Sequence, residues 1–462
     1  MKKENFILSA SLVIFTACQE NQNTNIEHLR PNIIFIMADD LGYGDLSCYG
    51  QEKFTTPNID RMAREGIRLT NYYSGSTVCA PARSSLLTGL NTGHAPVRGN
   101  KEIQPEGQEP MPADTRTFAH MLKESGYTTG VVGKWGLGYP GSVSEPLAMG
   151  FDYFFGYNCQ RHAHHYYVDY QWENDQRITY PKKIYSHDET TRKGFDFIRR
   201  NRDNPFMLYM AYAIPHAELV LPNEYLDPFK GKFPEPNPWP EGQHYGAQTH
   251  PRAALAAMIS HLDGDVGKLF GLLTELGIDD NTLVIFTSDN GPHKEGGNDP
   301  DFFNSNGGLR GYKRDLYEGG IRVPFIARWP GKIEAGSESS HMAAHWDMFP
   351  TFCDLVGANA PQVSDGISMA PLLMGNDQPK HEYLYWEFHE LGGRQAVRLN
   401  NWKGVKYNLK EGNSKLELYN LANDLAESID VADEYHEIVD QIEKIMLEAR
   451  VNSPSFPFPA DK

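Results

Sequence analysis

The sequence is short of positive charge. Of 462 residues, 43 are Lys or Arg against 60 Asp or Glu, a formal net charge of -17. Nucleic acid needs a basic footprint on its partner, so this balance excludes DNA and RNA as ligands. An anionic substrate is compatible only where Lys, Arg, His or a metal ion builds a local pocket. Cysteine is scarce too: Cys18, Cys48, Cys79, Cys159 and Cys353 are the full set. Their spacing fits neither a zinc cluster nor a dense disulfide framework, and a bridge such as Cys48–Cys159 stays open. After the first twenty residues no run is long and apolar enough to span a bilayer. Internal repeats and low-complexity tracts are also missing, which excludes solenoids and fibrous arrays. What is left, 40% hydrophobic and 22% charged, is the make-up of a soluble globular chain with a sizeable core.

The N-terminus carries Lys2 and Lys3, a short apolar run from Phe6 to Ala17, and small residues just before Cys18. This pattern reads as a secretory signal over residues 1–18. Its end resembles a bacterial lipobox, which implies acylation of Cys18 and a membrane anchor. The expectation is an exported protein, in the periplasm or at the outer membrane or surface of a Gram-negative bacterium.

Five apolar runs read as buried strands: "PNIIFIMADD" from 31, "YTTGVVGKWGLG" from 127, "NPFMLYMAYAIPHAEL" from 204, "NTLVIFTSDNG" from 281 and "RVPFIARWPG" from 322. Short apolar runs bounded by turn signals suit parallel strands covered on both faces. Helical patterns lie between them, at 56–66, 115–126 and 254–277. Alternation of this kind predicts an α/β fold with a large, mostly parallel sheet flanked by helices. That unit is expected over residues 30–360. Shorter strand patterns and a helix at roughly 432–450 predict a smaller α+β subdomain over 375–455. The Pro- and Gly-rich stretch 220–250 reads as a long surface loop.

In open α/β sheets ligands bind at the carboxyl ends of the strands. Four strands here end in Asp39–Asp40, Lys134, His216 and Asp289–Asn290. Three carboxylates and one amide suit a hard cation, Ca²⁺ or Mg²⁺, better than zinc. Lys134, His216, His293 and Lys313 add positive or proton-donating groups. A metal ion with several cations suits an oxyanion ester, phosphate or sulfate.

"CAPARSSLLTG" (79–89) then resembles the signature of type I sulfatases, C-x-P-S/A-R with a similar tail. The likeness continues in "NIIFIMADDLGYGDL", "GVVGKWGLG", "PFMLYMAYAIPHAE", "VIFTSDNGPHKEGG", "LRGYKRDLYEGGIRVPFIARWPGKI" and "LELYNLANDLAE". The resemblance implies an alkaline-phosphatase-like fold and a sulfuric ester hydrolase. It implies that Cys79 is oxidised to formylglycine by a dedicated maturing enzyme that reads the Pro and Arg. The hydrated aldehyde would attack sulfur with one hydroxyl and expel sulfate with the help of the other. Asp39, Asp40, Asp289, Asn290 and residue 79 would hold one Ca²⁺. Arg83 would stabilise the formylglycine, while Lys134, His216 and Lys313 would bind sulfate oxygens, with His216 or Lys313 as general acid. One position departs from the pattern: the second signature reads "GKWGLG", so Gly136 stands where a histidine contacts the formylglycine in relatives. His293 is the candidate to take over part of that task.

Aromatics interleaved with Arg161, His162, His164 and His165, and the segment with Glu387, His389 and Arg394, are candidates for sugar recognition. Together with export they point to a sulfated carbohydrate such as ulvan, carrageenan, a glycosaminoglycan or mucin. The combination of "GKWGLG" and "CQRHAH" looks like sulfatases of galactose or N-acetylgalactosamine 4-O-sulfate. A phosphatase or phosphodiesterase on the same fold, and a non-catalytic glycan-binding lipoprotein, are the alternatives.

Overall fold

The computed structural model describes residues 30–359, 361–412 and 414–459. Cys18 and the signal segment lie outside them.

A ten-stranded sheet organises the chain. Its centre is parallel: Thr282–Ser288, Asn32–Ala38, Phe206–Ala211, Thr128–Lys134 and Tyr153–Tyr157 lie side by side in that order. The strand Asn32–Ala38 shows why it is central. Ile34, Ile36 and Ala38 enter one core cluster, and Ile33, Phe35 and Met37 the other. Both faces are therefore dry, which explains the unbroken apolar run. Helices Ser186–Asn201 and Pro251–Glu275 feed the first cluster. Helices Phe118–Glu124 and Met348–Val356 feed the second.

The strand expected from 322 is present at Phe325–Arg328 but runs antiparallel to Thr282–Ser288, not parallel. The chain between these strands never crosses back over a face of the sheet. Its elements are two four-residue helical turns, Pro300–Phe303 and Glu318–Ile321. It re-enters at the carboxyl end and must run the opposite way. The far edge is also antiparallel, formed by Tyr167–Glu173 and Gln176–Tyr185. The stretch 220–250 is mainly irregular, with two short helical turns at Asn223–Leu226 and Asp227–Phe229 and a bridge between Trp239 and Gln248.

A second, four-stranded antiparallel sheet comprises Leu384–Phe388, Arg394–Leu399, Trp402–Lys406 and Glu417–Asn420. One face packs on helix His436–Glu448 through Ile442 and Met446. The other packs on Tyr73, Leu316 and Trp346. A buried ionic cluster crosses this junction. Lys403 Nζ donates to Glu318 Oε1 at 2.8 Å, Arg322 lies 3.2 Å from Glu318, and Tyr73 donates to it at 2.7 Å. The four cysteines among the described residues are free, so the Cys48–Cys159 bridge left open above does not form.

Candidate active site

Cys79 is the first residue of helix Cys79–Thr88, after Val78 in extended backbone. All ten residues of this helix are buried, so it is enclosed on every side. Small residues are what such a helix requires. Gly75 illustrates the fit: a Cβ there would lie 2.4 Å from the Ser85 Cβ. The helix ends at Gly89, left-handed at φ 71, whose N–H closes on the Ser85 carbonyl.

Three of the expected strand ends converge on Cys79, joined by His216, which the structure places in the turn after strand Phe206–Ala211 and not at its end. The Cys79 thiol donates to Asp39 Oδ1 at 3.3 Å, and Lys134 Nζ donates to Sγ at 3.3 Å. Lys134 also donates to Asp39 Oδ2 at 2.5 Å. Arg83, one helical turn beyond Cys79, is wholly buried. It donates to Asp39 at 3.3 Å, Asp289 at 2.9 Å and the Lys134 carbonyl at 2.8 Å. It thereby ties the helix to three strands. Asp40 sits in left-handed backbone at φ 63, which turns its carboxylate across the strand ends. That carboxylate accepts from Asn290 Nδ2 at 2.6 Å and Lys313 Nζ at 2.8 Å. Lys313 also donates to His216 Nε2 at 2.9 Å. His216 Nδ1 is bonded to the Ala217 carbonyl oxygen. These partners fix the neutral tautomer with its proton on Nδ1. His293 stacks 5.7 Å from His216 and bonds the Pro215 carbonyl.

Burial and charge shape the electrostatics. Burial, with Lys313 beside it, pushes the His216 pKa well down, which agrees with a neutral ring. Burial and the Asp39 carboxylate push Cys79 well up, keeping the unmodified side chain a thiol. Burial opposes ionisation of Asp39, but the Lys134 ammonium and the Arg83 guanidinium outweigh it and hold its pKa down. Burial, then Asp39, pushes Asp289 up to about 7, with Arg83 opposing.

The donor set fits a hard cation. Asp39, Asp40 and Asp289 are oxygen ligands, and Asn290 Oδ1 is buried with no hydrogen-bond partner. A buried amide oxygen without a donor suits a cation. Asp39, Asp40, Cys79 and His216 also present ligand atoms within 4.8 Å of one another.

Three comparisons bear on this geometry. The family model "Sulfatase" matches residues 31–358, and the model "N-sulphoglucosamine sulphohydrolase, C-terminal" matches 310–452. The chain belongs to the sulfatase family. Members are sulfuric ester hydrolases, so the chain is read as an enzyme of that class. Among curated relatives is the N-acetylgalactosamine-6-O-sulfatase of Bacteroides thetaiotaomicron. It is 30% identical, with 95% of this chain and 97% of that one covered. The steryl-sulfatase of Homo sapiens is 31% identical over 77% of this chain and 72% of its own. Among solved structures, i-CgsB in complex with k-i-k-neocarrahexaose matches at TM-score 0.78 and 28% identity. It covers 90% of this chain and 92% of that chain. BT4656 in complex with its substrate D-glucosamine-2-N,6-O-disulfate matches at TM-score 0.75 and 25% identity, covering 91% of this chain and 97% of that one.

Of the residues the sequence singled out around this sulfatase site, Asp39, Asp40, Cys79, Arg83, Lys134, His216, Asp289, Asn290, His293 and Lys313 form one connected cluster. His164 joins it by stacking on His216 at 4.2 Å, and Arg394 joins it through the Arg314 carbonyl and Asp315. Arg161, His162 and His389 are engaged elsewhere. Arg161 pairs with Glu102 at 2.6 Å, and His162 lies between the Tyr157 and Tyr170 rings. His165 pairs with Glu218 at 3.2 Å. His389 bonds Glu387, itself clamped by Arg98 and Arg450. Sequence reasoning missed Glu295 and Tyr245. Glu295 binds Arg314 at 2.5 Å and the Tyr245 hydroxyl at 3.0 Å, and lies 3.6 Å from Lys313. Glu295 stands two residues past His293, a cue in hindsight; Tyr245 lies in an aperiodic loop and left none.

Proposed function

We propose that this chain is an exported, calcium-dependent sulfatase that hydrolyses a carbohydrate sulfate ester, with formylglycine made from Cys79 as nucleophile. The observation that carries the reading is the position of Cys79. It opens an enclosed helix, with Sγ 3.3 Å from both the Asp39 carboxylate and the Lys134 ammonium.

Sγ marks where an oxygen of the oxidised residue 79 would stand. Asp39, Asp40, Asp289 and Asn290 would hold a calcium ion, whose positive charge would polarise a sulfate oxygen and acidify a neighbouring hydroxyl. The remaining work belongs to the chain. Lys134 donates toward residue 79 and keeps its oxygen aligned. Arg83 fixes the helix against the strand ends, so the nucleophile is positioned before substrate arrives. Lys313 reaches Asp40 and His216 and is placed to bind a sulfate oxygen as charge develops. His216 has no proton on Nε2, because Nδ1 holds it against the Ala217 carbonyl. The proton for the departing sugar oxygen therefore comes from Lys313, and His216 steers that ammonium.

The sugar is supported by the carbohydrate names among the relatives and by the ring-rich wall of His164 and Tyr245. The 4-O position of galactose or N-acetylgalactosamine is the specific reading to test beside the 6-O position named for the Bacteroides relative. Acylation at Cys18 would place the enzyme on a membrane, and a Cys18→Ser chain should then leave the membrane fraction. Among the described residues no helix is long and apolar enough to cross a membrane.

Mass spectrometry of the Cys79 peptide after co-expression with a maturing enzyme tests the nucleophile. The expected result is conversion of thiol to aldehyde, with sulfate release from a panel of sulfated mono- and oligosaccharides. A fully converted enzyme that releases sulfate from none of them refutes the carbohydrate reading. A thiol that is never converted refutes the mechanism.

A further inference from the structure

Gln160 is only 5% exposed, and its Oε1 has no hydrogen-bond partner. Its Nε2 makes one long contact, 3.5 Å, to the Gly136 carbonyl oxygen. That contact fixes which way the amide faces, since the reversed amide would set oxygen against oxygen. Buried carboxamide oxygens nearly always have a donor, so this one calls for a partner that arrives from outside the fold.

Two neighbours show where Gln160 points. It opens the short helix Gln160–Ala163, which His164 caps. Residues four apart on a helix share a face. His164 lies flat on His216, 4.2 Å between centroids and 14° between planes. The face bearing Gln160 is thus turned toward the cluster of His216, Lys313 and Asp40. On the other flank, Gly136 stands two residues beyond Lys134, whose Nζ is 3.3 Å from Cys79 Sγ. A Cβ on residue 136 would lie 2.1 Å from Gln160 Nε2. Gly136 also holds φ +71, where side chains are strained. The two positions are complementary: glycine at 136 vacates the space, and the carboxamide of residue 160 fills it.

We propose that Gln160 is a further contact residue of the active site, its Oε1 accepting a hydrogen bond from a hydroxyl that enters with the mature nucleophile or with the sugar. This rests on the sulfatase reading of the same site. The carboxamide has no proton to take up, so its part is orientation of that hydroxyl, not proton removal. The hydroxyl has two sources, the hydrated form of residue 79 and the sugar ring, and substrate choice separates them.

Gln160→Leu and Gln160→Met keep the volume and remove the acceptor. The enzyme to compare is the full chain with residue 79 converted and calcium present, assayed on a sulfated sugar and on an aryl sulfate without sugar hydroxyls. The expected result is a loss of kcat/KM of about tenfold to a hundredfold, the scale of one hydrogen bond in a transition state. Aldehyde content should be unchanged and the thermal midpoint equal or higher, because an unsatisfied buried group has been removed. An equal fall in kcat on both substrates assigns the hydroxyl to residue 79. A fall confined to the sugar, chiefly in KM, assigns it to the substrate. Unchanged kcat/KM on both substrates, or a lowered thermal midpoint as the only effect, overturns the proposal. Absence of sulfate release by the wild-type chain refutes the sulfatase reading instead, and so stays distinguishable.

Discussion

Lys403→Met breaks the junction between the two sheets at its most buried charge. Lys403 is fully buried, with Nζ 2.8 Å from Glu318 and 3.6 Å from Glu427. At an effective dielectric constant of about 20, ion pairs at such separations attract by roughly 6 and 5 kcal/mol. Dehydrating a lysine offsets several kcal/mol of that sum, and Met recovers some packing against Trp386. Glu318 keeps Arg322, Arg398 and Tyr73, but Glu427 loses its cation, and its Oε1 already has no hydrogen-bond partner. The expected net loss is about 3–5 kcal/mol of unfolding free energy, the range for removing one partner of a buried pair. Urea unfolding followed by tryptophan fluorescence reads it, since Trp386 lies 5.8 Å from Nζ. Glu427→Gln added to Lys403→Met should restore part of it, because burial already pushes the Glu427 pKa up to about 7 and without Lys403 this side chain must take up a proton to stay buried. A loss below about 1 kcal/mol, the scale of an exposed ion pair, would refute the reasoning.

Calcium titrated into metal-free protein should raise the thermal midpoint, by about 2.7 kcal/mol of stability at a hundredfold excess over Kd. Asn290→Leu should blunt this shift, and an equal shift in the variant would count against Asn290 as a ligand. Gly136→Ala should cost more than the roughly 1 kcal/mol of its left-handed backbone, because the new Cβ meets Gln160. In a Gln160→Ala background the same change should cost only the backbone part, which a double-mutant cycle in chemical denaturation measures. Burial would raise the Glu387 pKa, but His389, Arg98 and Arg450 hold it down at about 2, against 4.5 ordinarily. The resulting stabilisation, about 3 kcal/mol, is present above pH 4.5 and lost as pH falls toward 2. The stability gap between wild type and Glu387→Gln should therefore close over that range, and a pH-independent gap would contradict it.

Much of the site was legible because it is built at strand ends. A strand dry on both faces must be an apolar run, so the first polar residues after it mark the place where the sheet opens to a ligand. Asp39–Asp40, Lys134 and Asp289–Asn290 are such residues, and the structure brings them together around Cys79. The edge strands Tyr167–Glu173 and Gln176–Tyr185 were not legible. Most of their residues are exposed or half-buried, only Val168, Gln171 and Tyr185 being buried, and polar or charged residues interrupt any apolar run. The direction of Phe325–Arg328 was misread because composition records burial and not polarity. The ionic junction of Glu318, Lys403 and Glu427 was invisible for another reason. Its members lie 85 and 24 residues apart, and each alone is an ordinary surface type.

Charge explains why one acidic chain can hold an anionic substrate. Arg83, Lys134, Lys313 and Arg314 are set against Asp39, Asp40, Asp289 and Glu295, four cations against four carboxylates. Burial holds His216 and His293 below their ordinary pKa, so they add no fixed charge. Without an ion the pocket is close to neutral and sits in a chain of net charge -17. Every cation is already bonded to a carboxylate, so none can turn wholly to sulfate without stranding a buried partner. A divalent ion changes this balance. Held by Asp39, Asp40, Asp289 and Asn290, as proposed above, it would supply positive charge there and leave Lys134 and Lys313 free to face an oxyanion. On the proposed reading, the same carboxylates that tie up the cations of the metal-free pocket would make it fit an oxyanion once a cation is held.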